Sequence, residues 1–186
     1  AGLGIVEFAT VFNDLKPDLV VVRGDRFEVL SAATAAAYMN IPLAHIEGGD
    51  VSGTLDESVR HAITKLAHLH IATNEAARER LLRMGEDPRS VFNFGSPDVE
   101  VAETFARAGN GVRDLASTGS GASLDPGGDF MMVMYHPVWG EALESGMLAR
   151  RSEELLRVVH ALGMPALWFW PNADFGSEEI SHALRV

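Results

Sequence analysis

Polar side chains able to move protons or hold anions recur in this sequence directly after short apolar runs. Arg23-Gly24-Asp25-Arg26 follows the run 19–22, and Glu47-Gly48-Gly49-Asp50 follows 43–46. Gly95-Ser96-Pro97 closes a third such run, His136-Pro137 a fourth, and Pro171-Asn172-Ala173-Asp174 a fifth. Carboxylates such as Asp25 and Glu47 can take and return protons when they are held on different sides of a substrate. Arginine and histidine, here Arg26 and His136, can neutralise an anionic group such as a diphosphate. Glycine beside them lets backbone N–H groups approach a ligand. One polar loop is ordinary, since loops are polar anyway. Five in register suggest a shared site.

Each candidate has a plainer reading beside the chemical one. Asp25 can cap the helix expected from Phe27. Glutamate is a poor turn and strand residue, so Glu47 between an apolar run and two glycines favours a functional role. Asp56 and Arg60 lie four apart, as do Glu57, His61 and Lys65. That spacing gives solvated ion pairs along a helix, which is the preferred reading for Glu57 and Lys65. Asp56 follows the loop leaving Glu47 and can turn back toward the site. His68 and His70 form an H-x-H whose alternation places both on one strand face. A metal pair is conceivable there, and a metal-dependent hydrolase using His45, Glu47, Asp50, His68 and His70 is one alternative. The pair lies at the amino end of its strand, which favours a structural role. His45, inside a strand, reads as a satisfied core histidine. Asn172 and Asp174 can cap the last helix. No spacing is convincing for a metal, and no cofactor is expected.

These side chains need elements to position them. Short β-branched or apolar runs at 19–22, 43–46, 69–73 and 91–94 alternate with helical patterns at 27–39, 56–67 and 75–84. Continuous apolar strands separated by helices mean parallel βαβ units. In such sheets ligands bind beyond the carboxyl ends of the strands, where Asp25 and Glu47 fall. Residues 109–128 are rich in Gly, Ser, Asp and Pro and read as a linker or surface loop. Alternation restarts with strand 130–135, a helix from about 142 to 162, strand 166–170 and a helix from Ser177. The expected domains are 1–108, a Rossmann-like unit, and 129–186, the start of a second.

Composition narrows the class. The 186 residues carry 15 Lys and Arg against 26 Asp and Glu, a net charge of −11, with 47% apolar residues and no cysteine. A core of useful size is possible, while disulfides, thiolate metal sites and a cysteine nucleophile are excluded. The acidic balance argues against nucleic-acid or anionic-membrane surfaces. No apolar run approaches the roughly 20 residues of a membrane span, and no signal peptide is seen. Helical patterns run into both ends, which suggests an internal fragment of a longer cytoplasmic protein.

The string Arg23-Gly-Asp-Arg-Phe-Glu and the block from Ala44 to His68 resemble the UDP-N-acetylglucosamine 2-epimerases, most of all their hydrolysing, sialic-acid-pathway branch. Gly95-Ser96-Pro97, His136-Pro137-Val138 and Pro171 through Ser177 match later blocks in the same order. The sequence departs from the pattern at Asp98–Glu100, at Trp139 and at Asp50. The resemblance implies a GT-B-like fold, two Rossmann-like parallel-sheet domains with a nucleotide sugar in their cleft, both incomplete in this chain. It implies proton transfer by Asp25 and Glu47 with support from Asp56, and UDP contacts or cleft-holding by Arg26, His136 and Asn172. It implies elimination of UDP to 2-acetamidoglucal, then hydration to N-acetylmannosamine. Neither metal nor other cofactor is implied. The whole protein is expected to be a homo-oligomer.

Overall fold

The computed structural model describes residues 1–108, 119–137 and 146–185. They fall into two compact units, Ala1–Ala108 and Gly109–Val186.

The first unit begins with α1 (Gly2–Leu15), followed by β1 (Val20–Arg23), α2 (Phe27–Tyr38), β2 (Leu43–Ile46), α3 (Leu55–Leu66), β3 (Leu69–Ala72), α4 (Glu75–Arg83), β4 (Val91–Asn93) and α5 (Pro97–Arg107). The four strands are parallel and lie in the order β1-β2-β3-β4. Val22, His45, His70 and Val91 stand in one register row and are all buried. They face a helix layer: α2 lies on β1 and β2, α3 on β2, α4 on β3 and β4, and α1 on α2. On the opposite face Val21, Leu69 and Phe92 are exposed, although parallel sheets are generally covered on both sides.

The helix layer owes its closeness to α2, which buries Ala32, Ala33, Ala35 and Ala36. Such small side chains let its backbone approach α1 and the sheet. Phe12 of α1, Leu43 of β2 and Ile63 of α3 complete that core, and Ala72, Ala77, Leu81 and Val91 form a second cluster. Burying a Leu or Ile fully contributes about 1.5–3 kcal/mol. Helix α1 ends where Lys16 takes a left-handed conformation (φ 48°); its N–H reaches Phe12 O, and Pro17 follows.

In the second unit β5 (Met131–Met134) and β6 (Ala166–Phe169) pair in parallel. Helices α6 (Met147–Ala161) and α7 (Ser177–Ala183) pack together, burying Leu148 and Ile180. Residues 109–118 of the expected linker and 138–145, with the expected start of α6, lie outside the described residues. Helix α5 is an addition to the sequence reading. It carries Pro97 at its first turn and Asp98 and Glu100 beside it, good starting signals. It buries none of its residues, although Val101 and Phe105 lie four apart.

Candidate functional site at the strand exits

Because β1 to β4 run parallel, their carboxyl ends share one edge, and the loops leaving them meet there. Arg23 closes β1. Its Nε donates to Glu47 Oε1 at 2.8 Å, and its Nη2 also pairs with Asp98 at the start of α5. Its hydrogen bonds to Glu47, then to Asp98, raise its pKa above the ordinary arginine range. Glu47, just past β2, has φ 68°, a left-handed conformation that costs a non-glycine residue about 1–2 kcal/mol. Its N–H donates to Ile71 O at 2.9 Å, so the strained residue is anchored to β3 by its backbone and to Arg23 by its carboxylate. A Cβ built on Gly24, which has φ 80°, would lie 3.8 Å from Glu47 Oε2. The Glu47 carboxylate is therefore beside the turn that carries Asp25.

Asp25 pairs with Arg60 of α3; the side chains are 22% and 12% exposed. Arg60 Nη1 also donates to Asp50 O at 2.8 Å. One guanidinium thus ties both the β1 and β2 exits to α3. Two expectations change here. The N-cap of α2 is Arg26, without a side-chain cap bond, so Asp25 does not serve as that cap. Arg60 reaches across to Asp25, although local spacing offered Asp56. The inner side of α3 faces the sheet edge, and a partly buried guanidinium takes its carboxylate there.

Asp56 is exposed in the first turn of α3 and accepts from Thr54 Oγ1 at 3.4 Å. Glu57 closes the helix start by accepting from Ser52 N and Gly53 N at 2.9 and 2.7 Å. The Gly53 bond, with the Ser52 bond behind it, lowers its pKa. Lys65 donates to Glu86 at 2.6 Å. Arg26 pairs with Glu28 at 3.3 Å and lies 5.8 Å over the Phe27 ring. Asp50 accepts from Thr73 Oγ1 and Asn74 Nδ2 at 3.3 and 3.1 Å, linking the β2 and β3 exits. At Gly49, φ 86°, an added Cβ would sit 2.4 Å from Ala77 O, so only glycine fits where this loop crosses α4.

The H-x-H pair does not share a strand face as expected: His68 precedes β3 and is exposed, whereas His70 lies within it. His45 is fully buried, with Nε2 2.9 Å from Gly24 O and Nδ1 3.1 Å from Thr64 Oγ1. His70 is buried and 3.1 Å from Glu86 Oε2, while His68 Nδ1 accepts from Leu43 N at 3.2 Å. Among the described residues no group of three or more His, Asp or Glu could hold a metal ion.

In the second unit Asn172 N donates to His136 Nδ1 at 3.1 Å. The bond joins the β5 and β6 exits and leaves Nε2 to carry the proton in the neutral ring. The N-cap of α7 is Gly176; Asp174 accepts from Ser177 N through its backbone oxygen at 3.0 Å. An open groove of about 750 Å³ between α6 and α7, lined by Leu156 and His182 among others, contains none of the candidate residues.

The sequence reading assigned no site role to Arg23 or Asp98, and it paired Arg60 only with Asp56 along its own helix. The signal for Arg23 is its position as the last residue of an apolar strand, immediately before Gly24. The partners of the other two depend on which strands adjoin.

Two parallel sheets with helices between their strands define an α/β protein, and the solved epimerase structure it superposes on below has the GT-B fold. A family model described as UDP-N-acetylglucosamine 2-epimerase matches residues 1–186. A "UDP-N,N'-diacetylbacillosamine 2-epimerase (hydrolyzing)" from Legionella pneumophila is 34% identical over 184 residues, covering 99% of this chain and 47% of that protein. A UDP-N-acetylglucosamine 2-epimerase from Neisseria meningitidis is 33% identical, covering 98% and 46%. The Methanocaldococcus jannaschii UDP-GlcNAc 2-epimerase, solved in complex with UDP-GlcNAc and UDP, superposes with a TM-score of 0.76 at 19% identity, covering 98% of this chain and 49% of that one. The chain belongs to the UDP-N-acetylglucosamine 2-epimerase family, an enzyme family of nucleotide-sugar 2-epimerases. It spans about half the length of the curated relatives it matches.

Proposed function

We propose that this chain serves a hydrolysing UDP-N-acetylglucosamine 2-epimerase of sialic-acid-type sugar biosynthesis. The observation that carries the reading is the pair of carboxylates, Asp25 and Glu47, at the exits of adjacent parallel strands, each held by its own arginine. A carboxylate takes the proton from C2 of the sugar. The C–H electrons form the C1=C2 double bond, the C1–O bond breaks, and UDP leaves with that electron pair. Water then adds to the resulting 2-acetamidoglucal. Hydroxyl goes to C1 and a proton to C2 on the other face, releasing N-acetylmannosamine. The sequence is redox-neutral, so it draws on no redox cofactor.

In this reading Asp25 and Glu47 divide proton removal and return, with Asp56 supporting them. Arg26 and the Nε2–H of His136 meet the departing diphosphate, and Asn172 fixes the His136 ring. Residues 1–108 act as the N-terminal Rossmann-like domain, 109–128 as linker and 129–186 as the opening of the C-terminal one. The whole protein is a cytoplasmic homo-oligomer. A second reading, with a UDP-diacetylated bacillosamine as substrate, is favoured by the similarity to the Legionella relative.

The test is incubation of the whole protein with each UDP-sugar in deuterium oxide. The proposal expects UDP release and one deuterium at C2 of free N-acetylmannosamine. Turnover of the bacillosamine sugar alone selects the second reading. Epimerised UDP-sugar without UDP release removes the hydrolysing step. No UDP release and no C2 deuterium with either sugar overturns both readings.

A further inference from the structure

His45 equals His70 as the largest polar side chain buried inside the first unit. Its register neighbours Val22 and His70 lie on the same helix-facing side, and a valine would fill such a place at no cost in buried polarity. Instead the ring spans two elements. Gly24 O can only accept, so Nε2 carries the proton. Burial lowers the ring's pKa to about 4, so Nδ1 is unprotonated and accepts from the Thr64 hydroxyl. Gly24 is the residue before Asp25. Thr64 lies one helical turn after Arg60, the ion-pair partner of Asp25. The Glu47 loop bears on the same pair: a Cβ on Gly48 would lie 3.0 Å from Thr64 Oγ1 and 3.1 Å from His45 Nδ1.

From this geometry we infer that His45 is a positioning residue: by bridging the Gly24 carbonyl and Thr64, one neutral ring sets the spacing between the turn bearing Asp25 and the helix bearing Arg60. It touches no substrate. The inference rests on the proton-transfer reading above for its kinetic consequence, and on the bridge alone for its structural one.

The test compares two amides in the whole protein. His45→Gln offers an amide N–H to Gly24 O and an amide oxygen to the Thr64 hydroxyl, so it can keep both ends of the bridge; His45→Asn is too short to span them. The expected result is kcat near wild type for Gln. For Asn, kcat falls on the order of 10²-fold, the scale of a misplacement of about 1 Å, with KM unchanged. Two NMR readouts need no turnover. The wild-type ring should show the Nε2–H tautomer, and the ¹³C shift of the Asp25 carboxyl should move in Asn and not in Gln. Thr64→Val, which keeps the volume and deletes the hydroxyl donor, should move both kcat and that shift in the Asn direction, and it serves where His45→Asn fails to fold. Equal kcat and equal Asp25 shifts in Gln and Asn, a wild-type Nδ1–H tautomer, or an unmoved Asp25 shift in Thr64→Val overturns the inference. A wild type that releases no UDP while the NMR results hold overturns the reaction and leaves the bridge standing.

Discussion

Glu47 and Asp25 carry the same charge and meet the same kind of partner, yet removing Glu47 should be felt in turnover before stability. The Arg23–Glu47 pair has side chains 45% and 23% exposed, and pairs with that much water access contribute about 0–1 kcal/mol. Glu47→Gln is therefore expected to keep the fold, and Asp25→Asn, whose partner Arg60 is only 12% exposed, to cost more stability; each should lower kcat by on the order of 10²–10⁴-fold, measured as UDP release, and full activity in both would remove them from the mechanism. His45 behaves oppositely, acting on stability through pH. Burial holds its ring neutral down to about pH 4, against a usual value of 6.5. As pH falls through 6.5 the unfolded chain gains a proton that the folded ring refuses, so stability is full above 6.5 and declines toward 4. The decline amounts to about 3 kcal/mol in total. His70, whose pKa is lowered chiefly by burial, adds to it. Thermal melts from pH 7 to 4 should show the fall, and His45→Gln should flatten it. The strand-exit carboxylates were legible in the sequence because apolar runs ending in glycine mark where a parallel sheet presents its loops. The partner of Asp25 was not. Helical spacing points Arg60 at Asp56, and only strand order brings the β1 turn within its reach.

The elements around these residues are held by a few irreplaceable local features. Asn74 caps α4, its Oδ1 accepting from Ala77 N at 2.8 Å, and its amide also donates to Asp50. Asn74→Ala should cost about 1 kcal/mol for the lost cap, read as a shifted midpoint in urea. Gly49→Ala should cost more, about 2–4 kcal/mol, because its Cβ would meet the Ala77 carbonyl at 2.4 Å from a left-handed backbone. A midpoint unchanged in Gly49→Ala would mean the loop is free to move off α4. The alternation of strands and helices was readable from β-branched runs and from the Ala-rich pattern of α2. Helix α5 does carry Val101 and Phe105 one turn apart and was missed all the same; these and Val99 are exposed, so it has no core face such as α2 and α3 have. Its start nonetheless matters, since Asp98 joins Arg23 there.

At the scale of the whole molecule, a net charge of −11 surrounds a small set of cations at the strand exits. Anion binding in this reading depends on placement rather than on overall field. If residues 109–128 form the linker proposed above, trypsin should cut at Arg113 before Arg60, whose guanidinium is engaged by Asp25 and Asp50; mass spectrometry of the first products decides it. The backbone of Glu47 sets a further condition on the protein as a whole. Its φ of 68° is a conformation glycine takes without penalty. Glu47→Gly would relieve that strain, offsetting the loss of an exposed ion pair, while deleting a carboxylate on which the proposed chemistry depends. Directed evolution of this protein for heat resistance alone should therefore tend to discard the residue, and the hardiest survivors would be inert; screening for durability here has to be coupled to screening for turnover.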